Sequence, residues 1–99
     1  MQKYLSELTA DDLAQINRLG NLGFTPREAA IMLELDIQAV IYACEDDTNT
    51  VYKSFHSGRL QREVDLHEKI FKLADSGSSP AQTMALDILK KQQIKMMDR

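Results

Sequence analysis

The chain is short of nearly every residue type that would commit it to chemistry. Its 99 residues include one cysteine, two histidines, four glycines, two prolines and no tryptophan. The lone thiol, Cys44, has no partner for an internal disulfide, which points to a reducing cytoplasm. His56 and His67 have no carboxylate or cysteine at metal-ligand spacing, so no metal site is expected. The glycines at 20, 23, 58 and 77 are scattered, which excludes a glycine-rich phosphate loop. Long apolar runs are missing as well. Nothing approaches the roughly 18–20 residues that span a bilayer, and Met1–Ser6 lacks the apolar stretch of a signal peptide. Asp11-Asp12 and Asp46-Asp47 are the adjacent carboxylates, and both sit where helix ends would place them. The expectation is a protein without catalytic residues, cofactor, metal or membrane segment, which acts by binding.

What is present is an ordinary single-domain composition, 43% hydrophobic and 27% charged. Six aromatics against five methionines suggest an aliphatic core with methionine as gap filler. The net charge of −3 is unevenly spread. Residues 1–50 hold three basic and nine acidic side chains, whereas residues 51–99 hold nine basic and six acidic. No basic arm extends from either end, which matters because phosphate contacts dominate affinity for nucleic acid.

No segment alternates with period two, and an all-α fold of five helices is expected. Residues 1–8 read as a lead-in. Thr9 caps a first helix whose Leu13, Ile16 and Leu19 share a face and which Gly23 closes. Thr25-Pro26-Arg27-Glu28 is a start signal with threonine at the cap, proline at the first position and glutamate at capping-box spacing. That second helix spans 26–33. Glu34-Leu35-Asp36 turns the chain, and a third helix follows from Ile37 to about Asp46, with Ile37, Val40, Ile41 and Cys44 inward. Residues 46–49 read as a loop, after which Asn49 or Thr50 caps a long helix.

The region 51–91 reads as two long helices folded back at Ser76-Gly77-Ser78-Ser79-Pro80. Val51, Phe55, Leu60, Val64, His67, Phe71 and Ala74 form one apolar stripe, and Leu66, Ile70 and Leu73 widen it. Met84, Ala85, Ile88 and Leu89 answer it from the second helix. Gly77 suits the left-handed residue that ends a helix; Ser79, Pro80 and Gln82 suit the cap, first position and capping box of the next. Residues 1–48 are thus expected to form a three-helix helix-turn-helix unit, and residues 49–99 a helical hairpin with a short tail. The double stripe is wider than one partner helix covers, so the hairpin is expected to mediate self-association through Phe55, Gly58, Leu66, Ile70, Leu73 and Ile88. Gly58, inside a helix, marks a kink or a close backbone approach, since glycine there costs about 1 kcal/mol relative to alanine.

The second and third helices have helix-turn-helix spacing, which places the outward face of the latter in a major groove. That face holds Gln38, Ala39, Tyr42 and Glu45. Gln38 suits adenine and Ala39 a thymine methyl, while Arg27 and Lys53 are candidate phosphate contacts. Two features oppose this reading. Glu34 occupies a turn position often filled by glycine and must adopt an unfavourable backbone or a different turn. Glu45, Asp46 and Asp47 end the third helix with three acids, which repel phosphate. A protein-interaction module without DNA contact, and a dimeric helix-turn-helix transcription regulator, are the alternatives.

The pattern of Tyr52, Gly58, Leu66, Ile70, Leu73-Ala74 and Gly77, then Ser79-Pro80-Ala81 and a second long helix, resembles the small terminase subunits of tailed bacteriophages. The resemblance runs over about Phe24–Lys91. It implies a homo-oligomeric ring, a helix-turn-helix for viral double-stranded DNA with Gln38, Ala39 and Tyr42 facing it, and engagement of the large terminase, the ATPase motor of genome packaging. The site of action implied is the host-cell cytoplasm.

Overall fold

The helices begin where side chains satisfy their first amides, and the sequence signals for this are mostly literal. In the computed structural model, which describes residues 4–97, the helices are α1 Ala10–Asn21, α2 Pro26–Met32, α3 Ile37–Ala43, α4 Thr50–Asp75 and α5 Ser79–Met97. A single 3-10 turn, Leu5–Glu7, precedes them, and the fold is all-α. At α1, Thr9 Oγ1 accepts from the Asp12 amide at 3.2 Å while the Asp12 carboxylate accepts from the Thr9 amide at 2.9 Å. Thr25 and Glu28 repeat this reciprocal box at α2. Asp36 caps α3 by accepting from Ala39 N–H at 2.8 Å, and Asn49 caps α4 by accepting from Val51 N–H at 2.9 Å. Gly23 and Gly77 both adopt positive φ, +91° and +98°. Past them, Phe24 N–H reaches Leu19 O and Ser78 N–H reaches Leu73 O, the six-to-one bond that closes a helix.

Four details depart from the expectation. Residues 4–8 are more than a lead-in, because Leu5 and Leu8 pack half-buried against the core; residues 1–3 lie outside the described residues. α3 ends at Ala43, short of Asp46. Glu45 and Asp46 instead close three-residue turns onto Tyr42 O and Ala43 O, and the Asp46 carboxylate accepts from both the amide and the hydroxyl of Thr48. Local side-chain bonds of this kind compete with helix, and three acids oppose the negative end of the helix dipole. The cap of α5 is Ser78, one residue early, which makes Pro80 the second helical residue. Gln82 closes no capping box; its amide donates to Ala74 O at 3.2 Å and ties the start of α5 to the end of α4. Finally, α5 is helical through Met97, so the expected tail after Lys91 is an extension of the helix.

The chain divides into two compact units between Arg62 and Glu63, inside α4 and not in the loop at 46–49. The first has a closed core of Ile16, Ala30, Leu35, Val40, Ala43, Cys44, Val51 and Phe55, with Leu13, Leu33 and Ile37 packed on it. Here the first turns of α4 do the work that a third hydrophobic face would otherwise have to do. The second unit consists of the rest of α4 with α5. Phe71 and Ala74 share a groove with Leu86 and Ala85, while Glu63 and His67 share another with Lys91, Gln92 and Lys95. As residue numbers rise on one helix they fall on the other, so α4 and α5 run antiparallel.

Candidate interaction surfaces

The second and third helices are joined by a turn that one residue makes possible at a cost. Glu34 takes φ +57°, and it is the only non-glycine residue with positive φ among those described. A side chain in this region costs on the order of 1–2 kcal/mol. Its conformation lets Leu35 N–H bond back to Ala30 O and buries Leu35 in the core. The awkward backbone anticipated for Glu34 is therefore present. Beyond the turn, Gln38 and Tyr42 lie one helical turn apart on the outward face of α3 with Glu45 continuing the row. Gln38 and Tyr42 are exposed, Tyr42 by 66%, whereas Ala39 is half-buried and its amide is engaged by Asp36. Arg27 is exposed on the first turn of α2, and Lys53 is exposed on the first turn of α4, a different element.

Sequence reasoning passed over the outer face of α2. This helix buries its small residues, Ala29 and Ala30, and exposes its larger ones, Ile31 and Met32, each by more than half. Glu28, Ile31 and Met32 share a face at steps of three and four. Two adjacent alanines on the core side leave the bulkier pair outside. Across residues 25–49, Arg27 is the sole cation beside Glu28, Glu34, Asp36, Glu45, Asp46 and Asp47.

The close approach anticipated at Gly58 exists, but the neighbouring backbone belongs to the same unit. A Cβ at Gly58 would strike the Asn17 carbonyl oxygen of α1, and a Cβ at Gly20 would strike the Phe55 carbonyl oxygen of α4. Side chains lace this crossing. Asn17 Nδ2 donates to Ser54 O and Ser57 Oγ, each at 3.0 Å, and Asn21 Nδ2 donates to Gly58 O at 3.1 Å. Arg62 donates from Nε to Asn21 O at 2.9 Å and from its terminal nitrogen to Asn21 Oδ1 at 3.0 Å. This puts a cation on the negative end of α1. Phe55 and Gly58, expected on the self-association face, are thus buried in the N-terminal unit, and Arg62 is engaged there rather than presented to a ligand.

Also in this unit, His56 Nε2 lies 2.9 Å from Cys44 O, and Arg59 Nε donates to His56 Nδ1 at 3.4 Å. A carbonyl only accepts, so the arrangement fits neutral imidazole with its proton on Nε2. The ring packs against Tyr52 and Phe55, and the bond ties the end of α3 to α4. Burial, and next the Glu45 carboxylate, push the Cys44 thiol up to about 11. A thiol held in that state is a poor nucleophile at neutral pH.

The C-terminal unit is built the opposite way. Among its described residues only Ala81 and Ala85 are buried. Leu66, Leu73, Met84, Leu86 and Leu89 are between 48% and 60% exposed, and Ile70 and Ile88 are half-buried. Ile88 borders a groove of about 240 Å³ whose walls include His67, Lys91 and Lys95, with Lys91 bonded to Asp87 at 3.0 Å. A second, more apolar groove of about 400 Å³ is walled by Phe71, Ala74, Asp75, Ala85, Leu86 and Leu89. Among the described residues, no group of three or more histidine, cysteine or acidic side chains is disposed to hold a metal ion, and no helix is long and apolar enough to cross a membrane. Comparison with protein-family models, with curated proteins and with solved structures gives no match.

Proposed function

We propose that this chain is a self-assembling, non-enzymatic adaptor of the small-terminase kind. Copies associate through the hairpin of α4 and α5 and present α2 and α3 to double-stranded DNA in the host-cell cytoplasm. The assembly is a homo-oligomeric ring, and its further partner is the large terminase that drives packaging. One observation carries this reading: a two-helix unit in which, among the described residues, only two alanines are buried, while five leucine and methionine side chains stand about half exposed. Two helices of this kind have too little apolar burial to offset their conformational entropy alone, and identical neighbours supply the missing cover. Light scattering or native mass spectrometry should give a mass several times 11.2 kDa at tens of micromolar; a monomer at that concentration removes the reading.

DNA contact rests on the α2–turn–α3 geometry and on Arg27, Gln38, Ala39, Tyr42 and Lys53. Each such contact is weak in acidic surroundings, and repetition around a ring multiplies it. Titration with duplex DNA at low salt should show binding that falls as salt rises. A second reading is favoured by the exposed Ile31, Met32 and Tyr42 amid six acids: the same face docks a cationic protein segment. Lysines in place of Glu45, Asp46 and Asp47 separate the two, strengthening DNA binding under the first and weakening protein docking under the second. A dimeric helix-turn-helix regulator differs from both by its stoichiometry.

A further inference from the structure

The C-terminal unit has two flanks, and they differ in shape and in charge. An α-helix turns about 100° per residue, so the step from Phe71 to Leu73 carries the side chain through about 200°, to the other side of α4. On one side Phe71 and Asp75 join Leu86 and Leu89 around the apolar groove of about 400 Å³, and Asp75 is its only charged wall. On the other side Leu66, Lys69 and Leu73 recur at steps of three and four, a single ridge on which all three are exposed. The ridge is apolar with one cation at its centre, and the groove is apolar with one anion at its rim. Lying on opposite flanks of the same helix, they cannot meet within one copy.

We propose that they meet between copies: the Leu66–Lys69–Leu73 ridge of one chain seats in the Phe71–Leu86–Leu89 groove of the next, with Lys69 reaching Asp75. This deepens the self-assembly reading and rests on it. The contact is heterologous, since each copy uses its groove toward one neighbour and its ridge toward the other. Such an interface propagates, closing into a ring where the rotation between neighbours permits and otherwise extending as an open filament, whereas a two-fold interface stops at a dimer.

The test uses the full chain and two charge reversals, Lys69→Glu and Asp75→Lys. Each alone sets like charges across every interface and should weaken self-association roughly tenfold or more, because such juxtaposition is strongly unfavourable. Mixed one to one, the two variants restore opposite charges at each contact between unlike copies, and assembly should return with the variants alternating. Circular dichroism verifies that each variant remains helical. Should either fail to fold, Leu86→Gln fills the groove with a polar group and should dissociate the assembly by itself. An assembled wild type indifferent to both reversals, or a mixture that stays dissociated, overturns the ridge-and-groove contact. A wild type that never assembles removes the self-assembly reading itself.

Discussion

The two units spend similar materials in opposite ways. Residues 4–62 fold three short helices and the start of α4 around a closed core, and they bring two helices to backbone contact at Gly20 and Gly58. From Glu63 onward, leucines and methionines of comparable size remain half exposed, and alanines are what is buried. The difference shows that hydrophobic content does not measure completeness. The first unit closes a core and leaves Ile31, Met32 and Tyr42 outside it; the second, among its described residues, buries only alanines.

Substitution should separate these two designs, and the largest effect belongs to the helix crossing. Gly58→Ala pushes a methyl into the Asn17 carbonyl, which is backbone and cannot swing aside. Unfolding in urea should show a loss of about 3 kcal/mol, at the upper end of what overpacking costs. A variant as stable as wild type would mean that α1 and α4 are not locked together. Next in size is Asn17→Ala, which deletes two hydrogen bonds to α4 and should cost about 1–2 kcal/mol. Glu34→Gly acts in the other direction. It relieves the positive φ and should stabilise by about 0.5–1 kcal/mol, read as a rise in the unfolding midpoint.

Smaller still is Leu86→Gln in the second unit. This side chain is 60% exposed, so its loss opens no cavity, and the stability of the lone chain in dilute solution should change by under about 0.5 kcal/mol. The contrast sharpens if the same variant abolishes self-association. The least effect is expected at Asp46. Its hydroxyl and amide bonds from Thr48 hold its carboxyl below the ordinary value. A depressed acid contributes stability above its unfolded-state pKa and loses it as pH falls through the folded one. The loop should therefore loosen slightly once pH falls below the ordinary carboxylate value of 3.8, and Asp46→Asn should remove that dependence, as hydrogen exchange at Thr48 would report. Being fully solvent-exposed, it has little bearing on global stability.

Much of this was legible in the chain because helix boundaries are written locally. Thr9, Thr25 with Glu28, Asp36, Gly23 and Gly77 each act on backbone groups within a few residues, and each acts as its type and spacing suggest. Legibility fell where two local signals competed. At α5, Ser78 and Ser79 both suit a cap, and the bond from Gln82 to Ala74 accompanies the earlier one. At the end of α3, apolar spacing suggested continuation while the Asp46–Thr48 bonds ended the helix. The candidate surfaces were half visible. Gln38 and Tyr42 emerge from helical spacing alone, whereas the exposure of Ile31 and Met32 depends on which face of a very short helix meets the core.

By itself the sequence determined the helices, most of their caps and the surplus of apolar side chains along α4 and α5, because each follows from spacing and from backbone chemistry within one turn. Only the tertiary structure decided which of those apolar residues are spent. Phe55 and Gly58 lie on the same long helix as Leu66 and Leu73, yet the first pair is consumed by α1 and the second is left outside. Periodicity reports which residues share a face; what covers that face depends on contacts between residues some forty positions apart, such as those of Asn17 and Asn21 with Ser57, Gly58 and Arg62.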